Sequence, residues 1–582
     1  MPSQPKFNNH ILILDGDEFS TLSIVRSLGR KGLSITVASA NKNAICKHSK
    51  YTQNFFTYPD PLSDIDGFIQ AITNHISQKK YDLLIPVTEL CTLPLSRIRS
   101  QIEQHTILAV SDSLSLEKVT NKSQTFKLAM QVGVPTPKSY NINSQQSLEN
   151  CIDKLDYPIV LKPIRSIIDP TDDVRAKLNV DYAFNSEQLQ KKVTSVLKTS
   201  EIILQEYFTG IGTGIELIAD HGQIIHAFQH ERIHELPLTG GGSCLRKSVA
   251  INLQLLEYSK NLIQALNWHG VAMVEFKHNP QTNQSCLMEI NGRFWGSLPL
   301  AVSSGSDFPW YLYQLLVHKN HPEHFNSEIG HISRKIKDDL YWYIQVIFRR
   351  DKNPLIKWPK YSKLIIDLIS VFHYKHHFDA FYYQDLKPGL VELNRTLNWL
   401  ITFTSDFIAK KYLFKKHLRI KRQKSLPKIL NKTNNILFLC YGNINRSAAA
   451  ESLCLQRNHS LAFNIQSAGF HSIDKRSADP AMVNIALQNN INMKNCSSST
   501  VNTQMLDTAN IIFVMEIEHL LRLEKEYPQY LHKVYLLGSL DPNPQTPLEI
   551  TDPYGGSLDT YKTCFNQIES CINNLTHYVK PS

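Results

Sequence analysis

A cysteine, five residues and an arginine run from Cys440 to Arg446 in LCYGNINRSAAAE, between the apolar run NNILF and the helix-forming AAAESLCLQ. A cysteine attacks only as its thiolate, and a free thiol with a pKa of about 8.5 is mostly protonated at neutral pH. The spacing answers that problem. A strand end followed by a helix N-terminus lets the amides of residues 441–446 curl around an oxyanion, and with Arg446 they favour negative charge on the sulfur as well. Gly442 suits a tight turn, Asn443 can brace the loop through side-chain hydrogen bonds, and the Ser447 hydroxyl can donate to the thiolate. Arg446 can grip two phosphate oxygens at once, which lysine cannot. This is the chemistry of phosphoryl transfer to sulfur, and it needs an acid for the leaving oxygen. Asp552, in ITDPYGGSLDTYKTCF 112 positions after Cys440, can act first as that acid and then as base for the hydrolytic water. DPYGG by itself is an ordinary turn signal.

A second constellation lies in VAMVEFKHNPQTNQSCLMEINGRF, residues 271–294. A hairpin turn centred on Thr282 sets Glu275 directly opposite Glu289. Strand alternation puts Lys277, Asn291 and Arg293 on that face, with Val274, Phe276, Met288 and Ile290 on the other. Opposed carboxylates repel, and a divalent cation converts the repulsion into binding. Oxygen ligands favour Mg²⁺ carried on a nucleotide phosphate. A half-exposed hairpin with a solvated face gives the same alternation, so the hairpin alone leaves both readings open.

The elements that must hold these groups are legible as periodicity. Residues 10–110 alternate strand and helix: HILILDGD, a helix with Phe19, Leu22, Val25 and Leu28, LSITVAS, a helix through Ile65–Ile76, DLLIPV and TILAV. That is a parallel, Rossmann-like sheet, and without GxGxxG it gives no support for dinucleotide binding. From residue 111 a helix over Leu116–Val132 ends at GVPTP; a helix near 144–155 and the strands YPIVLKP, IILQEYF, TGIELIAD, QIIHAFQ, VAMVEFKH and SCLMEING make an α+β unit. Residues 326–433 read as a helical, aromatic-rich linker without a motif, and 434–582 resume βα alternation.

Composition excludes several classes. The 582 residues exceed one core, and at about 150 residues per domain they predict three or four. The start MPSQPKFNNHILILDGDEF is not a signal peptide, no apolar run is long enough for a membrane span, and the ten scattered cysteines form no CxxC pair. The chain therefore reads as a soluble cytoplasmic enzyme. Its net charge of +10 is local, since KKYLFKKHLRIKRQK, residues 410–424, holds eight Lys/Arg and no acid. That segment predicts a solvated interdomain helix, with weak contact to anionic membranes as the alternative and no nucleic-acid binding.

Taken in order, NKSQTFKLAMQVGVPTPKSY, YPIVLKP, IILQEYFTG, PLTGGGSCLRKSV and VEF…MEINGRFWGS resemble the ATP-grasp superfamily, in particular its carbamoyl-phosphate-synthase-like members, over about residues 10–320. The resemblance implies a pre-ATP-grasp Rossmann-like domain at 1–110 and an ATP-grasp domain at 111–325. It implies ATP bound by Lys122 and Lys162 at its phosphates and by Glu206 and Tyr207 at the adenine hinge, with Mg²⁺ on Glu275, Glu289 and Asn291. Arg293 would steady an acyl phosphate, TGGGSCLRKS would be a mobile loop near the acceptor, and Arg246 is a candidate for the substrate carboxylate. CxGNxxRS, SAGFHS, RSADPAMVNIALQNNI, ANIIFVMEIEHLLRL and DPYGG resemble the low-molecular-weight protein tyrosine phosphatases over 434–582. That implies Cys440 as nucleophile, Arg446 as phosphate binder, Asp552 as general acid and Tyr554 at the cleft border. Many relatives carry a second cysteine where this chain has Asn445, so the nucleophile lacks that reversible shelter from oxidation. Arsenate reductases share the fold but need resolving cysteines near a mobile segment, for which NCSSST offers Cys496, itself unpaired.

The expected fold is thus α/β and α+β multidomain, with a helical linker at 326–433 and a parallel-sheet phosphatase domain at 434–582. The expected function is bifunctional: an ATP-dependent carboxylate–amine ligase, with small-molecule substrates, and a phosphotyrosine or other phosphomonoester phosphatase. The alternatives are a phosphatase domain that regulates or localises the ligase, an ATP-grasp half that senses nucleotide, and arsenate reduction.

Overall fold

The computed structural model describes residues 9–165, 167–168, 176–177, 180–197, 200–321, 327–348, 353–423, 426, 430, 435–457 and 464–578. Residues 1–8, where the reading on a signal peptide falls, and Lys424 of the basic segment lie outside them. The chain divides into two compact units, residues 1–397 and 398–582.

In the first unit, strands Thr52–Thr57, Ser34–Ser39, His10–Ile13, Leu83–Ile85 and Ile107–Leu108 lie in that order in one parallel sheet. Helix Phe19–Arg30 buries Leu22, Val25 and Leu28 against it, and Asp64 caps helix Ile65–Gln78 by accepting from Gly67 N. Where a dinucleotide fold has its glycine turn, the Asp15 carboxylate follows the first strand. It accepts from Val87 N at 2.9 Å and Thr88 N at 2.7 Å, lacing two strand ends together.

Two larger sheets follow, beside a short antiparallel pair of Ile167–Ile168 with Ala176–Lys177. One is antiparallel, ordered Asp181–Ala183, Ile159–Pro163, Ile202–Glu206, Ser139–Ile142. The other has seven strands, ordered Gln284–Asn291, Gly270–Asn279, Ile211–Asp220, Gln223–Leu236, Gly242–Val249, Ile332–Arg334, His376–Phe378. Its hairpin pairs Glu275 with Glu289, as the spacing predicts, and a bulge after Glu275 then sets Phe276 opposite Leu287.

Two expectations need correction here. The helix read over Leu116–Val132 is broken into Ser113–Thr120 and Lys122–Gln131, because Asn121 accepts from Gln124 N and starts a second helix at Lys122. The stretch read as a helical linker contributes the last two strands of the seven-stranded sheet. Ser333 and Arg246, from it and from the preceding strand, both donate to Asp379, so a buried charge network makes part of this stretch integral to the sheet.

In the second unit a parallel sheet runs Asn464–Gly469, Asn435–Cys440, Ile511–Val514, Val534–Leu536. Phe438, Phe513 and Ile568 pack one face and Leu437, Ile512 and Leu520 the other. The basic segment is helical, within Leu386–Gln423, and only partly solvated. His417 is buried, Lys421 donates to Thr546 O at 2.7 Å, and Lys410 pairs with Glu518.

Candidate active sites

Cys440 ends its strand and helix Arg446–Arg457 begins six residues later, so the intervening loop lies at a helix N-terminus. The thiol is buried. Ser447 Oγ lies 3.0 Å from its sulfur and Asn443 N donates to it at 3.2 Å. Asn443 adopts the left-handed conformation, φ 52°, while Gly442 does not. The tight turn expected of Gly442 is therefore made by Asn443, a residue type that tolerates this region. Asn443 Nδ2 donates to Ser447 Oγ at 2.9 Å and Ser467 Oγ at 2.8 Å, and its Oδ1 accepts from Ser499 N at 2.8 Å. Gly469 has a requirement that sequence reading missed: a Cβ there would lie 2.7 Å from Tyr441 O and 3.0 Å from Asn443 N.

Arg446 is fully buried and makes three charge-assisted contacts: Nη1 to Glu516 Oε2 at 2.6 Å and Ile550 O at 2.9 Å, and Nη2 to Asp552 Oδ2 at 2.6 Å. Burial would lower its pKa, but Cys440, Asp552 and Glu516 together raise it. Glu516 also escaped the sequence reading. It caps helix Ile517–Glu526, its N–H donating to His519 Nδ1, and the His519 imidazole is held neutral, its pKa pushed down to about 3 by burial, Arg446 and Arg522. The only sequence signal was its place at a strand end, in VMEIEH. Tyr554 and Tyr441 are exposed at the same loops, and Tyr554 N donates to Asp552 Oδ1 at 3.3 Å. Asn445 is buried. Cys496 is half-buried against the core 3.3 Å from Ser452 Oγ, and burial raises its pKa, which does not suit a resolving thiol.

The second constellation converges on the hairpin. Asn291 Nδ2 donates to Glu275 Oε1 at 3.1 Å and to Glu289 Oε1 at 3.4 Å, so the three side chains expected to hold Mg²⁺ meet at one place, with the amide nitrogen of Asn291 facing the carboxylates. Arg232, two strands away in the same sheet with strand Ile211–Asp220 between them and absent from the sequence reading, reaches Glu275 Oε2 at 2.5 Å. The two carboxyls are pushed apart. Burial and the facing Glu289 raise Glu275 against the pull of Arg232; burial would also raise Glu289, but Lys122, Lys162, Arg232 and Arg293 hold it below its usual range.

Lys162, the penultimate residue of strand Ile159–Pro163, lies beside this group, its pKa lowered to about 8 chiefly by burial, with Lys122 and Lys277 adding to the effect and Glu289 opposing it. Lys122 is buried at the first position of its helix, its backbone N–H donating to Ile164 O at 3.0 Å. Tyr207 lies under Lys277 Nζ, 5.1 Å from the ring centroid, and Glu206 is 3.8 Å from Lys138. Arg293 turns away from the carboxylates towards Phe294 O at 2.8 Å and Glu89 at 3.5 Å. Arg246 departs from expectation. It is fully buried and paired with Asp379 at 2.6 Å, so a substrate carboxylate would have to displace that ion pair.

Comparison with known proteins follows the same division. Residues 435–582 match the family described as Low molecular weight phosphotyrosine protein phosphatase, and residues 198–337 match ATP-grasp in the biosynthetic pathway with Ter operon. Over 136 residues the chain is 32% identical to the low molecular weight protein-tyrosine-phosphatase Wzb of Escherichia coli strain K12, spanning 23% of this chain and 88% of that protein. Over 301 residues it is 19% identical to the carbamoyl phosphate synthase large chain, C-terminal section, of Methanopyrus kandleri, 48% of this chain and 51% of that protein. Among solved structures, the L-amino acid ligase of Bacillus licheniformis superposes with a TM-score of 0.44 at 17% identity, over 54% of this chain and 75% of that one. Among the described residues, no helix is long and apolar enough to cross a membrane.

Proposed function

Through residues 435–582 the chain belongs to the low molecular weight phosphotyrosine protein phosphatase family, an ATP-grasp ligase-like domain precedes that region, and we propose that both sites work. The protein is then a bifunctional enzyme: an ATP-dependent carboxylate–amine ligase and a cysteine-dependent phosphomonoesterase acting on phosphotyrosine protein or a similar ester. The observation that carries the phosphatase reading is Arg446, with Asp552 on one nitrogen and the Cys440 loop wound around its base.

In the phosphatase half, the Cys440 thiolate attacks phosphorus, the bond to the ester oxygen breaks, and protonated Asp552 gives its proton to that oxygen. Asp552 then takes a proton from water as the water oxygen attacks phosphorus, the phosphorus–sulfur bond breaks, and thiolate and inorganic phosphate are restored. Arg446 and the loop amides hold the three non-bridging oxygens, Ser447 and Asn443 N steady the thiolate, and Asn443 in its left-handed conformation turns the loop beside Gly442.

In the ligase half, Lys122 and Lys162 hold the nucleotide phosphates while Glu206 and the Tyr207 backbone hold the base. Mg²⁺, bound with the nucleotide by Glu275, Glu289 and Asn291, would neutralise phosphate charge. Arg232 fixes the Glu275 carboxylate, and Arg293, whose charge reaches Glu289, would turn inward from Phe294 O and Glu89 to steady an anionic acyl phosphate. The reaction joins a small-molecule acid to an amine, or a similar nucleophile, with release of ADP and phosphate. The cations of 410–424 that remain exposed suit a weak contact with anionic membrane.

Hydrolysis of p-nitrophenyl phosphate that vanishes in Cys440→Ser tests the first half; binding of phosphopeptide without phosphate release would instead favour a phospho-binding module. Incubation with Mg·ATP and a metabolite extract, compared by mass between wild type and Glu289→Ala, tests the second. Nucleotide binding with no new product would favour a sensor.

A further inference from the structure

At the end of the seven-stranded sheet away from the paired carboxylates, three chain segments bring a carboxylate and three imidazoles together. Asp220 ends strand Ile211–Asp220, His221 is the first residue of the turn beyond it, and His269 precedes strand Gly270–Asn279. Asp220 Oδ1 lies 3.0 Å from His269 Nδ1 and 3.9 Å from His221 Nε2, and the three ligand atoms all fall within 4.8 Å of one another. His321 Nε2 lies 2.9 Å from the other carboxylate oxygen. His269 Nδ1 is buried and, despite its closeness to Asp220, makes no aligned hydrogen bond.

The backbone fixes this geometry. His221 and Asn267 both adopt left-handed conformations, φ 43° and 46°, and Gly222 follows at φ 86° with its N–H donating to Trp268 O at 2.8 Å. A Cβ at Gly222 would lie 3.3 Å from Gln264 Cα, so the two turns meet over a glycine. The His221 and His269 rings stack at 4.4 Å and 17°, which brings one nitrogen from each near the same oxygen.

Tetrahedral coordination of Zn²⁺ at about 2.0–2.2 Å separates its ligands by roughly 3.3–3.5 Å. The observed separations bracket that range, so small rotations complete the cage. We propose that Asp220, His221 and His269 form a site for a borderline divalent cation of the Zn²⁺ class, with His321 orienting the Asp220 carboxylate from outside. Two imidazole nitrogens select such ions over Mg²⁺, and a hydrogen-bonded ligand carboxylate is how proteins set ligand direction. The site is separate from the ligase hairpin: Glu275 is five residues along the strand from Gly270, about 17 Å. Its role is a cross-link between two turns and the 319–321 segment.

The test uses the untagged full chain, stripped with chelator and titrated with Co²⁺, then competed with Zn²⁺. Expected is a visible d–d spectrum of nitrogen and oxygen ligation that His221→Ala and His269→Ala each weaken at least tenfold and His321→Ala weakens less. His221 is exposed, so its variant keeps the fold, which an unchanged circular dichroism spectrum and urea midpoint of the metal-free protein verify. Co²⁺ bound equally well by His221→Ala, a spectrum dominated by thiolate charge transfer, or no binding at all would each overturn the assignment.

Discussion

Arg446 Nη2 lies 2.6 Å from Asp552 Oδ2, so the cation of the cysteine loop and a carboxylate 106 positions later hold each other directly. An arriving phosphate monoester competes for that guanidinium with two oxygens of its own, in the bidentate geometry arginine favours. In the proposed mechanism, displacement of Asp552 from Arg446 would free its carboxyl to protonate the ester oxygen, so this one ion pair would link phosphate capture to release of the acid.

If Asp552 supplies that proton, its loss should matter most where the leaving group is poor. Asp552→Ala should lower turnover of phenyl phosphate by about 10²–10³-fold and that of p-nitrophenyl phosphate by less. Steady-state rates on the two esters check this, and equal losses on both would remove Asp552 from the acid role.

The loop's tolerance should invert what its glycine pattern predicts. Gly442→Ala adds a Cβ whose nearest neighbour is Ile444 Cγ1 at 3.4 Å, so activity should stay within a few-fold of wild type. Gly469→Ala drives a Cβ to 2.7 Å from Tyr441 O and displaces the loop beside the nucleophile. A misplacement near 1 Å costs about 100-fold in rate. Turnover of both variants, with circular dichroism to verify folding, decides it.

The contrast between those glycines marks how far the sequence reaches. Local order was legible: the βα series, the hairpin pairing Glu275 with Glu289, and the strand–loop–helix around Cys440 all follow from periodicity within one segment. Arg232 and Glu516 were not, because each meets its partner across strands 43 and 70 positions apart in the chain, and no periodicity encodes that. The short strands Ile332–Arg334 and His376–Phe378 were hidden in an aromatic, helix-like composition, since three residues carry too little alternation to register. The bulge after Glu275 and the break at Asn121 are single-residue events that average patterns smooth over.

Lys162 gives a pH dependence with a definite sign. Its pKa is lowered to about 8, mainly by burial, so the ammonium form dominates at pH 7 and is lost as pH rises. Nucleotide phosphates stabilise the charged form, so binding takes up a proton wherever free Lys162 is already partly neutral. Mg·ATP affinity should fall about tenfold between pH 7 and pH 9, and Lys162→Met should bind weakly with a flat profile. Calorimetry in buffers of different ionisation enthalpy reads both affinity and proton uptake; a flat wild-type profile would mean Lys162 does not meet the phosphates.

Arg232 acts on the same site from the opposite side of the charge balance. Its guanidinium, 2.5 Å from Glu275, is the fixed cation that lets two facing carboxyls share a mostly buried hairpin face. Replacing it by methionine keeps the stem's packing but takes from Glu275 its ion-pair partner while Glu289 still faces it. Breaking one partner of a buried pair costs about 3 kcal/mol, and the carboxylates that lose their arginine then gain more from any other cation. Arg232→Met should therefore unfold at lower urea than wild type without Mg·ATP and recover a larger share of its stability when Mg·ATP is added. Paired urea curves with and without Mg·ATP measure the difference. Equal shifts in both proteins would show that Arg232 balances some other charge than the one a metal-bound nucleotide brings.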